Sequence, residues 1–293
     1  MTAKAEFIEE KNTSPRNLYE AFQRFMVYVI LILGAIIVLF PFIWTLSTSL
    51  KYPEDIYQVP PQMIPEDIRW ENYSDVLTKQ PFGRWMLNSV MVVTISTFGM
   101  LASSSIVAFA FARLRFPGRD ILFLIVLATM MLPSQVTLIP TFIMFRWLGW
   151  INTYLPITVP AFFARQAFFI FLLRQFFMTI PLDLDDAAHI DGANNFQVFW
   201  HIILPMSRPA LGVAALMFAQ AKWREFLPPL IYLQKRELLT AAVGLRQFLD
   251  PTYGTDWNLM MAANILFMIP IIITFYFTQR FLIQGIVITG VKG

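Results

Sequence analysis

The chain of 293 residues has no cysteine and few charged residues. Without cysteine it can form no disulfide, no thiolate metal site and no cysteine nucleophile. Charged residues make up 14% of the chain and apolar residues 57%, whereas soluble domains have about 25% and about 45 to 50%. This composition excludes a disordered chain, which needs more charge and less apolar surface. It also excludes a water-soluble enzyme, because a soluble fold could not bury so much apolar surface. The composition therefore indicates a membrane protein.

Histidine is rare and a phosphate-binding loop is absent from the sequence, and both facts narrow the possible functions. The two histidines, His189 and His201, lie twelve residues apart with no cysteine near them, so no metal site is expected. The sequence contains no G-x-x-x-x-G-K-[ST] loop, so any ATP that drives this protein must be bound by a partner. The net charge of +3 is too small to suggest a nucleic-acid partner.

Six stretches are long and apolar enough to cross a bilayer, which takes about 20 helical residues. Four contain no charged residue: 25–50, 85–112, 121–145 and 257–279. The other two are 147–173, interrupted by Arg165, and 209–233, interrupted by Lys222, Arg224 and Glu225. The predicted fold is an all-α membrane protein with six transmembrane helices. Residues 1–24 form a cytoplasmic N-terminal arm and residues 25–293 form one transmembrane domain.

The distribution of lysine and arginine predicts which way the loops face. Six helices place both termini on the same side of the membrane. A cytoplasmic N-terminus puts eleven lysines and arginines in cytoplasmic segments and eight outside. Three of the eleven form a tight cluster beside the end of a span: Arg113, Arg115 and Arg119. Because basic residues favour the cytoplasmic side, we predict that both termini are cytoplasmic.

The cytoplasmic loop at about residues 179–208 has the pattern of two helices joined by a glycine. Three carboxylates are placed to cap the first helix: Asp183, Asp185 and Asp186. Gly192 is placed to end that helix, because glycine accepts the left-handed conformation of a C-terminal cap. Four large apolar residues follow at helical spacing, predicting one apolar face: Phe196, Phe199, Trp200 and Ile203. Pro205 is expected to end the second helix.

This loop resembles the EAA loop of ABC importer permeases. The family pattern is EAA, two residues, DGA, five residues, F, two residues, I, one residue, LP, three residues and P. Ten positions match it in register: Ala187, Ala188, Asp191, Gly192, Ala193, Phe199, Ile202, Leu204, Pro205 and Pro209. Asp186 stands where the family has glutamate, which keeps the negative charge and shortens the side chain.

Other stretches resemble the carbohydrate branch of the family, in particular the smaller permease subunit of maltose-type importers. They are PFIWTLSTSLKYPEDI at 41–56, ENYSDVL at 71–77, FIFLLRQFF at 169–177 and GIVITGVKG at 285–293. The resemblance covers nearly the whole chain. It implies the type I ABC importer permease architecture, with six transmembrane helices and a cytoplasmic coupling helix in the EAA loop, in a bacterial inner membrane.

The resemblance also implies partners and roles. The loop would dock into a cleft on a separate ATPase subunit, and the tail at about 281–293 would reach towards the ATPase pair. The residues implied in this coupling are Asp186, Ala187, Ala188, Asp191, Gly192, Ala193, Phe199, Leu204 and Pro205. The chain itself would be non-catalytic and hold no cofactor, with ATP and Mg bound by two ATP-binding cassette subunits. A second permease subunit, expected to be a different chain, and an extracytoplasmic solute-binding protein would complete the importer.

Charges within predicted spans need a partner or a polar path, because each costs about 2.5 to 3.5 kcal/mol at mid-bilayer. Five candidates could line a substrate pathway: Arg165, Lys222, Trp223, Arg224 and Glu225. Related sugar permeases carry a WN(D/E)F element where this chain has AKWREF, with Arg224 at the Asn position. We hypothesise that the extra cations suit an acidic saccharide, such as an oligouronate like alginate, or a phosphorylated solute such as glycerol 3-phosphate.

Structural explanations stay open for the same residues. Glu225 could pair with Arg165 or with a sister subunit, Lys222 could lie near an interface, and Trp223 could be packed rather than facing a sugar. An ATP-independent secondary transporter is the competing class, for which Glu225 would be the coupling carboxylate. A structural scaffold of a membrane complex is a third class, but it gives no reason for cations within spans.

Overall fold

The computed structural model describes residues 15–249 and 255–290. The predicted arm lies outside these residues up to position 14, and its remainder belongs to the first helix. At the other end, Val291, Lys292 and Gly293 of the predicted tail also lie outside. Within the described residues the secondary structure is entirely helical, in agreement with the predicted all-α class.

The α-helices in chain order are α1 (Pro15–Ser49), α2 (Glu71–Lys79), α3 (Phe82–Arg113), α4 (Arg119–Ala128), α5 (Ser134–Trp147), α6 (Leu155–Thr158), α7 (Ala167–Thr179), α8 (Asp183–Ile190), α9 (Asn195–Val198), α10 (Leu204–Met206), α11 (Arg208–Trp223), α12 (Leu227–Tyr232), α13 (Ala241–Gly244) and α14 (Trp257–Gly290). Short 3-10 helices lie at Pro53–Tyr57, Thr129–Met131, Val159–Phe163, Arg236–Leu238 and Leu245–Phe248, and a π-helical turn lies at Phe199–Ile203.

Four helical segments are long and apolar enough to cross a membrane, and there are up to six if each of two bent pairs counts as one span. The four are Tyr19–Ser49, Phe82–Arg113, Leu155–Thr179 and Trp257–Phe277. The bent pairs are Arg119–Met131 with Gln135–Trp147, at 99°, and Asn195–Met206 with Arg208–Trp223, at 76°. The predicted count of six is therefore the upper figure.

The span predicted at 121–145 is not one continuous helix, because the chain turns by 99° between α4 and α5. Pro133 has no N–H to continue the helix and disfavours helical backbone at the residue before it. Leu132 accordingly has extended backbone, with φ −79° and ψ 120°. An absence of charge measures apolarity, and it does not detect such a break.

The two charged spans also have different bounds from those predicted. The segment predicted at 147–173 begins its helix at Leu155, after turns in which Gly149 and Asn152 have positive φ. The segment predicted at 209–233 is interrupted between α11 and α12. Arg224 and Glu225 lie in that interruption, and Lys222 lies in the last turn of α11. These charges therefore lie at the end of a helix and not in its middle.

Two separate cores hold the helices together. One surrounds the C-terminal half of α3, α7 and the start of α11, with Phe109, Leu173 and Phe177 buried in it. The other surrounds the N-terminal half of α3 and the start of α14, with Trp85 and Tyr232 buried in it. Within a membrane, helices associate mainly through close packing, so small residues along α3 allow its neighbours to approach closely. A Cβ on Gly99 would lie 2.5 Å from the Phe162 ring.

A buried side-chain amide joins the end of α1 and the segment after it to the last helix. Asn72 Nδ2 on α2 donates to the carbonyls of Ser49 and Lys51, at 3.0 and 2.9 Å. Its Oδ1 accepts from Asn258 Nδ2 of α14 at 3.0 Å. The body of α1, in contrast, has none of its most apolar 18-residue window buried within this chain.

Candidate functional site: a helical loop and a charged cavity

The loop between α7 and α11 has the predicted helix, glycine turn and second helix. Its first helix, α8, carries three carboxylates in its first turn: Asp183, Asp185 and Asp186. They are not caps as predicted, because the N-cap position is held by Leu182 and no side chain caps the helix. Their charges still complement the positive N-terminal end of the helix dipole.

Gly192 makes the turn out of α8. Its φ of +86° lies in the left-handed region, where a side chain would be strained. The Gly192 amide donates to the His189 carbonyl at 3.0 Å, and the Ala193 amide donates to the Ala188 carbonyl at 2.9 Å. These two bonds form a Schellman motif, which satisfies carbonyls at the helix end. His189 adds a third bond, from its Nδ1 to the Ala193 carbonyl at 2.8 Å.

The second helix begins with a reciprocal cap and ends one residue after Pro205. Asn194 accepts from the Gln197 amide at 2.9 Å, and Gln197 Oε1 accepts from the Asn194 amide at 2.8 Å. The helix then continues to Met206 through the π-helical turn. Pro205 lies after this turn, in the last residues of the helix, and the chain bends by 76° between Met206 and Arg208. The helix therefore ends one residue after the stop predicted at Pro205.

The predicted apolar face of this helix is split between two environments. Phe199 and Ile203 are buried in the core, and the Phe199 ring lies 5.1 Å from that of Phe109. Phe196 and Trp200 are exposed and stack on each other at 6.2 Å. The sequence pattern gives the width of the apolar stripe on the helix. The neighbouring helices cover only part of that width, and their positions decide which residues are buried. The outer edge leaves two aromatic rings on the surface of the loop.

An ion pair anchors α8 to the end of α3, and sequence reasoning missed it. Arg113 Nε lies 3.5 Å from Asp185 Oδ2, with both side chains almost fully buried. Asp186, which the family resemblance favoured, is exposed. The one sequence signal for this ion pair is the basic cluster at 113–119, which the orientation of the chain in the membrane explains equally well. Burial raises the pKa of the Asp185 carboxyl, while the charges of Arg113 and His189 lower it to a smaller extent.

A cavity of about 550 Å³ brings together three of the five predicted pathway residues: Arg165, Lys222 and Glu225. Lys222 Nζ donates to Glu225 Oε2 at 2.6 Å. Glu225 is thus paired within its own segment, not with Arg165. Arg165 is exposed, and among the residues the structure describes its guanidinium has no hydrogen bond or ion pair. A neighbouring depression of about 650 Å³ is also lined by Arg165, together with Trp150 and Phe163.

The other two predicted pathway residues point elsewhere. Trp223 is buried and stacks on Phe267 at 5.5 Å, and its Nε1 donates to the Phe267 carbonyl. Arg224 is exposed, donates to the Gln220 carbonyl at 3.2 Å and does not line the cavity. Adjacent residues on a helix point about 100° apart, so a cluster in sequence need not be a cluster in space.

The described residues contain no group of three histidine, cysteine, aspartate or glutamate side chains that could hold a metal. Each histidine instead donates to a carbonyl four residues away, His189 to Ala193 and His201 to Gln197. Both histidines therefore stabilise the local helical turns of the loop.

Comparison with known proteins places these features in a family. The family model described as "Binding-protein-dependent transport system inner membrane component" matches residues 95–288. The chain belongs to this family. The matched residues include the whole helical loop and all the residues that line the charged cavity.

Relatives within this transport family are similar over most of the chain. The sn-glycerol-3-phosphate transport system permease protein UgpE of Yersinia pestis bv. Antiqua (strain Antiqua) is 32% identical over 267 residues, which are 89% of this chain and 94% of UgpE. The arabinooligosaccharides transport system permease protein AraQ of Bacillus subtilis (strain 168) is 31% identical over 262 residues, 88% of this chain and 92% of AraQ.

A solved structure supports the same fold for this family member. It is described as a bacterial ABC transporter involved in the import of the acidic polysaccharide alginate. The TM-score is 0.80 with 24% sequence identity, over 89% of this chain and 97% of the other. At this identity the likeness concerns the fold.

Proposed function

We propose that this chain is the permease subunit of an ATP-driven importer of a saccharide, and that the helical loop couples it to an ATPase. The observation that carries the proposal is the construction of the loop. Gly192 fixes the turn between its helices, Arg113 ties it to α3, and Phe196 and Trp200 remain exposed on its outer edge. A rigid element with an uncovered aromatic edge suits docking against another protein.

The partners follow from what this chain does not supply. Two ATP-binding cassette subunits would bind ATP and Mg and receive the loop on the cytoplasmic side. A second permease subunit of different sequence would cover part of α1, whose apolar surface is unburied in this chain. An extracytoplasmic solute-binding protein would deliver the saccharide. The family description, which names a binding-protein-dependent system, supports that last partner.

The mechanism that fits this assembly is alternating access. ATP binding would draw the ATPase subunits together and move the loops of the two permease subunits towards each other. Because the loop is anchored to long helices, its movement would open the pathway outwards, and hydrolysis would return it inwards. The chemistry of hydrolysis belongs to the partner, and this chain converts it into movement.

Gly192→Pro tests the coupling role in reconstituted vesicles that contain the complete transporter. Proline fixes φ near −65° and has no N–H, so it is incompatible with the φ of +86° and the bond to His189. We expect ATP-driven uptake to be lost while the complex still assembles. Gly118→Pro, between α3 and α4, is the control, because it places proline at a similar positive φ, +78°, outside the loop. Unchanged uptake in Gly192→Pro would contradict the role, and uptake without ATP would favour a secondary transporter.

We further propose that the cavity accepts an acidic saccharide, with Arg165 as the group that reads its negative charge. Lys222 is already neutralised by Glu225, so Arg165 is the cation left for a ligand. Trp150 and Phe163 provide flat apolar surface beside it. The described role of the alginate transporter and the name of UgpE both concern anionic solutes, whereas the name of AraQ concerns arabinooligosaccharides. A phosphorylated solute such as glycerol 3-phosphate is therefore the alternative.

Arg165→Gln separates these cargoes. Uptake of an oligouronate should fall by about tenfold or more, because a hydrogen bond to a charged group contributes about 1.5 to 3 kcal/mol. Uptake of a neutral oligosaccharide of the same length should not fall. Arg146→Gln is the matched control, since Arg146 is an exposed arginine of α5 that does not line the cavity. Competition by glycerol 3-phosphate, but not by the oligouronate, would favour the alternative.

A further inference from the structure

The guanidinium of Arg113 contacts three helices at the end of the molecule that carries the loop. Arg113 is the last residue of α3, and its Nη2 donates to the carbonyls of Phe177 and Ile180, at 2.8 and 2.7 Å. These carbonyls lie at the C-terminal end of α7, where a positive charge is favourable. Its Nε lies 3.5 Å from Asp185 of α8. One buried side chain therefore joins α3, α7 and α8.

A second arginine makes α3 and α7 a single unit at this end. Arg174 of α7 donates from Nε to the Phe111 carbonyl of α3 at 3.3 Å, and its guanidinium lies over the Phe123 ring of α4 at 4.2 Å. Arg113 makes the reciprocal contact from α3 to α7. With the two helices tied in both directions, the ion pair to Asp185 is the link between this unit and α8.

The geometry points to Arg113 as a positioning residue that transmits movement between α8 and the α3–α7 unit during transport. This inference rests on the proposed coupling function of the loop, and it adds a specific joint behind the docking surface. Asp185, one position before the residue that stands where the family has glutamate, supplies the other half of the joint. The exposure of Asp186 and the burial of Asp185 assign these different roles.

Arginine suits this joint because its planar group presents several fixed donors at once. It binds two carbonyls through one nitrogen while facing a carboxylate with another. Lysine has a single charged nitrogen on a flexible stem and cannot hold three helices in one geometry. Arg113→Lys therefore keeps the charge and removes the fixed arrangement. Asp185→Asn removes only the link to α8 and leaves Arg113 and its two carbonyl bonds in place.

The test measures movement and coupling in the complete reconstituted transporter. Because the chain has no cysteine, Ile106→Cys on α3 and Leu184→Cys on α8 can be labelled on the purified chain as its one pair of spin labels before the transporter is assembled. Both side chains are exposed, at 56% and 38%. The distance between the labels is measured with and without ATP, and the ATP consumed per solute molecule is measured in parallel. Arg115→Lys and Asp183→Asn are the controls, since both alter exposed neighbours of the joint.

We expect the label distance to stay constant between ATP states in the parent and in the controls. In Arg113→Lys and Asp185→Asn it should change with ATP, and ATP consumed per solute should rise about fivefold or more, the low end of coupling between two sites. A constant distance and parental stoichiometry in both variants would overturn the inference. If Arg113→Lys fails to assemble, Asp185→Asn decides the outcome. Absence of ATP-driven uptake in the parent would instead contradict the proposed function.

Discussion

The loop and the cavity hold their arginines in opposite ways. Arg113, behind the loop, has a side chain only 3% exposed and contacts two carbonyls and a carboxylate. Arg165, in the cavity, is exposed and has no such partner among the described residues. Between these extremes lies Lys222, which is largely buried and paired with Glu225. Three cations in an apolar protein thus occupy three electrostatic situations.

The difference separates structural charge from available charge. Burying a cation is costly unless it has hydrogen-bond and charge partners, so a buried arginine that contacts two carbonyls and a carboxylate serves to fix the helices around it. A cation at the wall of a cavity loses less hydration free energy, and its free donors can still bind an anion. The pattern of partners, more than the presence of charge, therefore distinguishes the anchor of the loop from the candidate ligand group.

Replacing each arginine by methionine would test this comparison most strongly. Arg113→Met leaves Asp185 and two carbonyls without their partner, and removing one member of a buried pair costs about 3 to 5 kcal/mol. Arg165→Met removes no hydrogen bond or ion pair to the described residues and should change the free energy of unfolding by less than about 0.5 kcal/mol. Thermal unfolding of the purified chain in one detergent measures both. Equal losses would mean that Arg165 has a structural role like that of Arg113.

A double-mutant cycle on Lys222 and Glu225 sharpens the intermediate case. The pair is close, at 2.6 Å, but Glu225 is 27% exposed, so we expect a coupling free energy of about 1 kcal/mol, the upper value for surface pairs. The loss of stability in the double variant, Lys222→Met with Glu225→Gln, should therefore be about 1 kcal/mol smaller than the sum of the two single losses. The single and double variants are compared by the same unfolding measurement. A coupling near zero would mean that Lys222 is free for a ligand, as Arg165 is.

Local rules account for the features of the loop that sequence predicted. The left-handed conformation at Gly192 follows from the residue type and its position after a helical run. The all-helical fold and the long spans follow from apolar stretches that only helices can carry through a bilayer. The capping box of Asn194 and Gln197 also follows a local spacing rule, but the resemblance drew attention to other positions.

Contacts between distant elements account for what sequence did not predict. Arg113 and Asp185 are 72 residues apart in the chain, and no periodicity links them. The inward turn of Trp223 depends on Phe267, and the outward edge of Phe196 and Trp200 depends on how much of the helix the core covers. In each case the sequence gives a residue of suitable chemistry, while the packing of other helices decides its direction.

The last expected effect is a pH dependence at the anchor, and it decides whether burial or attraction to Arg113 dominates the energetics of Asp185. Burial raises the pKa of Asp185 above its ordinary value of 3.8, more than Arg113 lowers it. A carboxyl with a raised pKa in the folded state binds its proton more readily there than in the unfolded state. As pH falls from about 7 towards about 4, the free energy of unfolding of the parent should therefore rise relative to Asp185→Asn, by at most about 1.4 kcal/mol per pH unit.

Asp183→Asn, which removes an exposed carboxylate from the same turn, corrects this comparison for the general effect of acid. The opposite sign, with the parent losing stability relative to Asp185→Asn as pH falls, would mean that attraction to Arg113 outweighs burial. Asp185 would then be a net stabilising ion pair. With the expected sign, the charged form of Asp185 lowers the free energy of unfolding at neutral pH. That result fits an ion pair that serves the coupling of α8 to α3 and does not stabilise the fold.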